Sequence, residues 1–400
     1  VLRSAAVRMG LALLGGLGCW ASSAWASSYK ITDLGGPDGR LAYTWGLSLN
    51  NRGQVAGAWA ENRPASPSVA TEYHPYFYDP TQGGKVTLPA VVSPSGDDPG
   101  GYDRRYVGYT YTGLNDAGRA VTDSRDGAMS FDAASGRLAP VAGTAGFLSD
   151  SGAMVGTKQV DPIGGVANFV PVSSQDGRVE ELGLPPGAVG AQVQAINDVG
   201  DVLVRAAMSP GVFNRYFVLS GGGTWTDLGA AYGTAINDRG VVAGNLGYSP
   251  EGTPSHAALI APDGTATDIG ALPGDSYASA YGINNRGEAV GLSFPENANW
   301  MYRGFLYKDG KMIDLNDLVD PASGWSIRWG LAINDLGQIL ALGVFDDREG
   351  IALLTPDGMD APPAPAFPDL PEVPVPEPST LLVFGGLALG VGLARRGRRA

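Results

Sequence analysis

Between residues 29 and 358 the apolar positions fall into short runs, and the polar residues that interrupt them return in a fixed order. That order is an apolar residue, Asn, a second polar residue, a free position, Gly and a further apolar run. Ala235-Ile236-Asn237-Asp238-Arg239-Gly240-Val241-Val242-Ala243-Gly244 shows it most fully. The repeated turn residues are Asn50 and Gly53, Asn115 and Gly118, Asp150 and Gly152, Asn197 and Gly200, Asn237 and Gly240, Asn284 and Gly287, and Asn334 and Gly337. In the third copy Ser149 stands where the others have Asn. Successive glycines are 65, 34, 48, 40, 47 and 50 residues apart, a mean near 47. Periods of this size belong to solenoids, propellers and arrays.

Each copy predicts a hairpin tip, because Asn and Asp start turns through bonds to their own backbone while Gly accepts a positive φ. The residues before Asn should pair with those after Gly. A second hairpin belongs to each unit: in Arg303–Leu315 an aromatic strand turns at Asp309-Gly310 into a strand ending Asp314-Leu315. Four strands per unit follow. The first unit, from Tyr29, lacks its aromatic strand, and the last copy is followed by an extra one, Gly350–Gly358. A sheet assembled from both ends closes a ring and leaves no open edge at the join. The expectation is therefore an all-β, seven-bladed β-propeller of four-stranded units, with an open β-solenoid as the alternative. The pattern fits either the aromatic strand or its opposite number at the centre of the ring.

Composition agrees, since 60 Gly and 29 Pro in 400 residues favour short strands and turns over long helices. The formal charge is −13, and the two terminal segments hold six of the 27 basic residues against one of the 40 acidic ones, so the repeat region is more acidic still. Such a surface repels phosphate backbones and excludes nucleic acid as the natural partner. The one cysteine, Cys19, falls in a leading segment, and the two histidines, His74 and His256, open strands, where a structural role is expected. Asn-Asp-x-Gly has the opening of a calcium loop but lacks the alternating oxygens and closing Glu of such a site. Two insertions break the period, 61–72 and 91–107. The second carries Tyr102, Arg104, Arg105 and Tyr106, a candidate binding loop of aromatic and Arg side chains, with Trp300 as a further candidate.

The ends have their own signals. Residues 1–26 carry Arg3 and Arg8, an apolar run and Ala24-Trp25-Ala26, the pattern of a secretory signal cleaved after Ala26. Residues 27–360 form the repeat domain. Residues 361–375 read as an extended Pro-rich linker. Residues 376–400 combine Pro376-Glu377-Pro378, an apolar run to Ala394, and Arg395, Arg396, Arg398 and Arg399. As a helix, residues 379–394 would be about 24 Å long, a short membrane span with its arginines on the cytoplasmic side.

That C-terminal arrangement resembles a PEP-CTERM sorting signal. The resemblance implies a Gram-negative bacterial protein handed to an exosortase and delivered to the cell surface, in the company of exopolysaccharide and biofilm matrix. The repeats resemble those of the HAF family of extracellular proteins, through His256-Ala257-Ala258, Thr267-Asp268-Ile269-Gly270 and Gly282-Ile283-Asn284-Asn285-Arg286-Gly287-Glu288-Ala289-Val290-Gly291. This implies location and architecture and assigns no activity.

The functional expectation is a secreted, surface-sorted matrix protein with a non-enzymatic binding or structural role, directed at polysaccharide or another extracellular polymer, with no catalytic residue and no cofactor. One alternative is a glycan hydrolase or lyase, which needs only two suitably spaced carboxylates. Another is a calcium-stabilised adhesion protein.

Overall fold

A computed structural model of the chain describes residues 28–359 apart from 36–42, 61–71, 82–83, 88–90, 93–109, 124–127, 142–145, 164–165, 176–177, 230, 248–254 and 297–300. The described chain is almost entirely β, arranged as seven antiparallel sheets. Blade I comprises Tyr43–Leu49, Val55–Ala60, Glu72–Asp79 and Gly84–Thr87, with the short Val91–Val92 pairing beside the third strand. Blade II holds Thr110–Leu114, Arg119–Asp123, Ala128–Asp132 and Arg137–Val141, and blade III Phe147–Leu148, Met154–Ile163, Val166–Gln175 and Arg178–Glu181. Blade IV runs from Gly190–Ile196 through Val202–Ser209 and Val212–Leu219 to Trp225–Asp227. Blade V contains Tyr232–Ile236, Val242–Asn245, Ala257–Ile260 and Ala266–Gly270, and blade VI Tyr277–Ile283, Ala289–Phe294, Arg303–Lys308 and Lys311–Asp314.

Blade VII closes the circle. Trp325–Ile333, Ile339–Phe345 and Arg348–Pro356 come from the C-terminal side, and Tyr29–Asp33 from the N-terminal side supplies the fourth strand, with Ile31 opposite Leu354. The ring is thus a seven-bladed β-propeller joined as the repeat count predicts, and the solenoid alternative is set aside. The first strand of every blade touches the first strand of the next, from blade VII back to blade I. The strand that precedes each Asn therefore lines the centre, the aromatic strand is third, and the Asp-Leu strand is outermost.

A register shift interrupts the innermost strand in blades I, II, IV, V, VI and VII. Such a bulge turns a backbone carbonyl toward the second strand and sharpens its twist. In blades V and VI the facing position must then be Gly: a Cβ on Gly244 would lie 1.6 Å from the Tyr232 carbonyl oxygen, and one on Gly291 would lie 2.0 Å from that of Ser279. This accounts for the glycine that ends Val242-Ala243-Gly244 and Ala289-Val290-Gly291.

The core lies between blades. Each of the seven seams has its own apolar cluster, such as Ala243 and Ala257 of blade V against Ala278, Ala280 and Phe305 of blade VI. At the closing seam Leu34, just past the N-terminal strand, packs with Leu340, Ile351 and Leu353 of blade VII and with Val55 and Tyr76 of blade I. Its N–H donates to the Ile351 carbonyl at 2.7 Å.

Leu34 is 1% exposed, so Leu34→Ala removes a side chain that ties three elements together at the join. The expected loss is about 2–5 kcal/mol, measured as a lower urea midpoint with an unchanged slope.

Candidate functional site

All the Asn-x-x-Gly turns join an innermost strand to a second strand, so they gather on one face around the mouth of the central channel. Locally each is the expected turn. The Gly240 N–H donates to the Asn237 carbonyl at 2.9 Å, and the Asn237 N–H to the Val241 carbonyl at 3.0 Å. The seven turn glycines take φ from 73° to 92°, a region that costs other L-residues 1 kcal/mol or more, an order-of-magnitude figure. The Asn237 Oδ1 accepts from the backbone N–H groups of Arg239 and Val241.

The other end of the Asn side chain does something that the turn itself does not require. The Asn237 Nδ2 donates to the Asn284 backbone carbonyl, one blade on, at 2.9 Å. The same bond links Asn50 to Asn115, Asn197 to Asn237, Asn284 to Asn334, and Asn334 to Asn50, at 2.8 to 3.1 Å. Asn115 reaches the Ser149 carbonyl at 3.5 Å. These asparagines are at most 5% exposed, and their amides need both ends satisfied there. In four turns the side chain four residues on supplies a further acceptor: Gln54, Asp201, Glu288 and Gln338 each receive the Nδ2 of their own Asn.

A second circle lies beside the first and is complete. The residue after each Asn, or after Ser149, donates its backbone N–H to the corresponding side chain of the next blade. Asn51 gives to Asp116, Asp116 to Asp150, Asp150 to Asp198, Asp198 to Asp238, Asp238 to Asn285, Asn285 to Asp335 and Asp335 to Asn51, at 2.5 to 2.8 Å. Five carboxylates and two amides therefore rim the channel. Asn285 Nδ2 bridges Asp238 and Asp335, and Asn51 Nδ2 bridges Asp116 and Asp335. Asp150 and Asp198 have only carboxylates on either side. Partial burial, then the hydrogen bond with the Asp116 carboxyl and the Asp116 and Asp198 charges, push the pKa of Asp150 up to about 7 against the pull of the Asp116 N–H. Partial burial and the Asp238 and Asp116 charges raise Asp198 as well. Among the described residues no group of three or more His, Cys, Asp or Glu side chains is placed to hold a metal ion.

Farther out on this face Glu288, 8% exposed, receives Asn284, Arg286 and Lys308. Burial works against its charge, but those three donors hold its pKa below the usual carboxylate value. Arg286 and Lys308 also line a cavity of about 340 Å³ between blades VI and VII. His256 Nδ1 lies 3.0 Å from an Asp268 oxygen, an exposed pair across two neighbouring strands. His74 sits within the third strand of blade I.

The opposite face carries a different population. The hairpin tips and loops there expose Ile163, Val212, Met301 and Phe345. Tyr277 stacks on Phe294, which meets Tyr302 edge-on; Tyr302 meets Trp329, and Trp329 stacks on Tyr281. Of the residues expected to bind, Tyr102, Arg104, Arg105, Tyr106 and Trp300 lie outside the described residues, but the strand ends that bound their segments are on this face. The sorting residues Pro376 to Pro378 and Arg395 to Arg399, and the cleavage residues Ala24 and Ala26, also lie outside them. Among the described residues no helix is long and apolar enough to cross a membrane.

No protein-family profile and no characterised protein matches the chain in sequence. Solved structures do match in shape. Pyrococcus horikoshii acylaminoacyl peptidase is 12% identical, with 78% of this chain and 52% of that one aligned and a TM-score of 0.45. Porphyromonas gingivalis dipeptidyl peptidase 4 is 10% identical over 76% of this chain and 51% of its own, at a TM-score of 0.41. Trypanosoma rangeli sialidase is 11% identical over 83% and 59%, at 0.38. The chain spans little more than half the length of these proteins, and at such identities the likeness concerns fold alone.

Replacing Asn237 by Ala removes the two turn bonds and the link to blade VI together. The expected cost is about 2–4 kcal/mol, the sum of a lost cap and a buried carbonyl left unpaired. Arg239→Ala, in the free position of the same turn, should stay within about 0.5 kcal/mol; chemical denaturation of both variants measures the contrast.

Proposed function

We propose that this chain is a secreted, surface-sorted matrix protein whose propeller is a non-enzymatic scaffold that binds extracellular polysaccharide. One observation carries the reading: the side chains that the sequence repeats most faithfully, the Asn and Asp of seven turns, accept or donate bonds that fasten one blade to the next. Their chemistry is committed to holding the ring. A glycan hydrolase needs a carboxylic acid and a carboxylate free to face a glycosidic oxygen, and the mouth carboxylates each already accept a neighbour's N–H.

The sorting half of the proposal rests on the sequence. A cleavable leader, a Pro-rich linker, Pro376-Glu377-Pro378, an apolar segment and four terminal arginines describe a chain exported, held briefly in the membrane and released or attached by an exosortase. Tyr277, Phe294 and Tyr302, at strand ends away from the turns, support polymer contact on that face, because aromatic faces stack well on apolar ring surfaces.

Three measurements test the reading. Co-sedimentation of the secreted chain with a panel of acidic and neutral polysaccharides should show binding, with no new reducing or unsaturated ends after prolonged incubation; release of such ends makes it an enzyme. In an exosortase-bearing host, Glu377→Ala should leave the C-terminal segment attached, seen as a heavier mass and retention in the membrane fraction. The melting midpoint should be unmoved by calcium or chelator, and a calcium-dependent rise would favour the adhesion alternative.

A further inference from the structure

Blade III is fastened to the ring less firmly than the others. Among the described residues its innermost strand is two residues long, Phe147–Leu148, where the others have five to nine. In the inner circle the bond that reaches it is the longest, 3.5 Å from Asn115. The bond that should leave it is missing. Ser149 Oγ is taken up within its own turn, with Ser151 Oγ at 2.8 Å and the Ala153 backbone, and it lacks the amide that would span to the Asn197 carbonyl. At the seam with blade II the apolar cluster consists of Val121, Leu148 and Met154. The same blade falls where the outer circle is least screened: the amides of Asn51 and Asn285 reach Asp116, Asp238 and Asp335, and neither reaches Asp150 or Asp198.

We infer that blade III is a pH-responsive seam of the propeller, drawn tight while the Asp150 carboxyl, set between Asp116 and Asp198, keeps its proton and loosened when that proton is lost. This stands apart from the polysaccharide reading and needs no ligand. Asp150 accepts the Asp116 N–H and directs its own N–H to Asp198, so three carboxylates stand in sequence around the mouth, with Asp238 following from blade V. The charges that act on Asp150 are those of Asp116 and Asp198, and those acting on Asp198 include Asp238 and Asp116. The rest of the blade III turn, Ser149, Ser151 and Gly152, is uncharged, as is Val199 beside Asp198. Like charges this close cannot all ionise at the ordinary carboxylate pH. A proton between them removes repulsion at the seam that also lacks its inner bond. When the proton leaves, the backbone bonds remain but the carboxylates on blades II, III and IV push apart.

The sign follows from proton counting. Burial first, and then the neighbouring carboxyls, raise Asp150 from its ordinary 3.8 to about 7 in the folded chain. Between those values the folded state holds the extra proton, so stability falls as pH rises through the window and levels off above it. Asn is a compatible replacement, because the fold already uses Asn51 and Asn285 in the equivalent position to accept the same kind of N–H.

The test uses the secreted chain and three variants, Asp150→Asn, Asp335→Asn and Ser149→Asn, followed by melting midpoint from pH 5 to 8 and by amide exchange corrected for the intrinsic rate at each pH. The gain in midpoint from Asp150→Asn should be small at pH 5 and grow by several degrees to pH 8. Asp335→Asn, already flanked by amides, should keep the wild-type pH dependence. Exchange in residues 147–152 and 190–198 should be faster than in 232–240 at pH 8, and Ser149→Asn should slow it roughly two- to tenfold, the worth of one added hydrogen bond. An Asp150→Asn gain that is equal at pH 5 and pH 8, or a loss at both, overturns the role of the proton. Uniform exchange among the turns overturns the seam.

Discussion

The structure depends on a relation between neighbours: each turn gives a backbone N–H to the blade after it and offers a side-chain oxygen to the blade before. Such a head-to-tail contact either propagates without end or closes on itself. Here seven steps return to the start, and the last of them, Asp335 to Asn51 beside Asn334 to Asn50, joins residues 284 positions apart in sequence. Those two bonds span the seam between blades VII and I, and blade VII is the one that Tyr29–Asp33 completes by pairing with Arg348–Pro356. The polar circles, the N-terminal strand and Leu34 therefore belong to one closing event.

Asparagine is the residue that can serve this relation from a buried position. Its oxygen caps the turn that it begins while its nitrogen reaches the next carbonyl, so one side chain satisfies two backbone donors and one acceptor that would otherwise be orphaned. Aspartate could cap but not donate. Serine can donate, but its hydroxyl ends one bond too soon, which is what Ser149 shows. The next position, nearer the solvent, has to accept only. Asp or Asn both suffice there, and the mixture of five and two sets how much negative charge the mouth carries. The acidity of the chain is in this way partly a by-product of ring closure.

Much of this was legible in the sequence. Asn-x-x-Gly at a mean period near 47 gives hairpins and their number, and the orphan strands at Tyr29 and Ile351 give the closure. The strand lining the channel was not legible, since a sheet completed from both ends reads the same in either direction. The bond from Asn237 to Asn284 was hidden for a subtler reason: turn chemistry explains an Asn by itself, so nothing demanded a second partner. The signal was there in redundancy. A turn needs Asn or Asp once, whereas the chain keeps a polar pair, Asn-Asp or Asn-Asn, in six copies and Ser-Asp in the seventh. A local rule satisfied by the first residue leaves the second unexplained, and an unexplained residue repeated around a ring points across the seam.

The division between the two faces follows from the same geometry. With the turn face occupied by bonds between blades, its Asn and Asp side chains are poorly placed to change partners. The opposite face has no such duty. Its hairpins are free to vary in length, as the 10-residue strands of blade III and the shorter ones of blade V show, and they expose Ile163, Val212, Met301 and Phe345 without loss to the ring. The strand ends that bound the segments of Tyr102 and Trp300 lie there too. A protein built by repetition separates in this way what must be the same in every unit from what can differ.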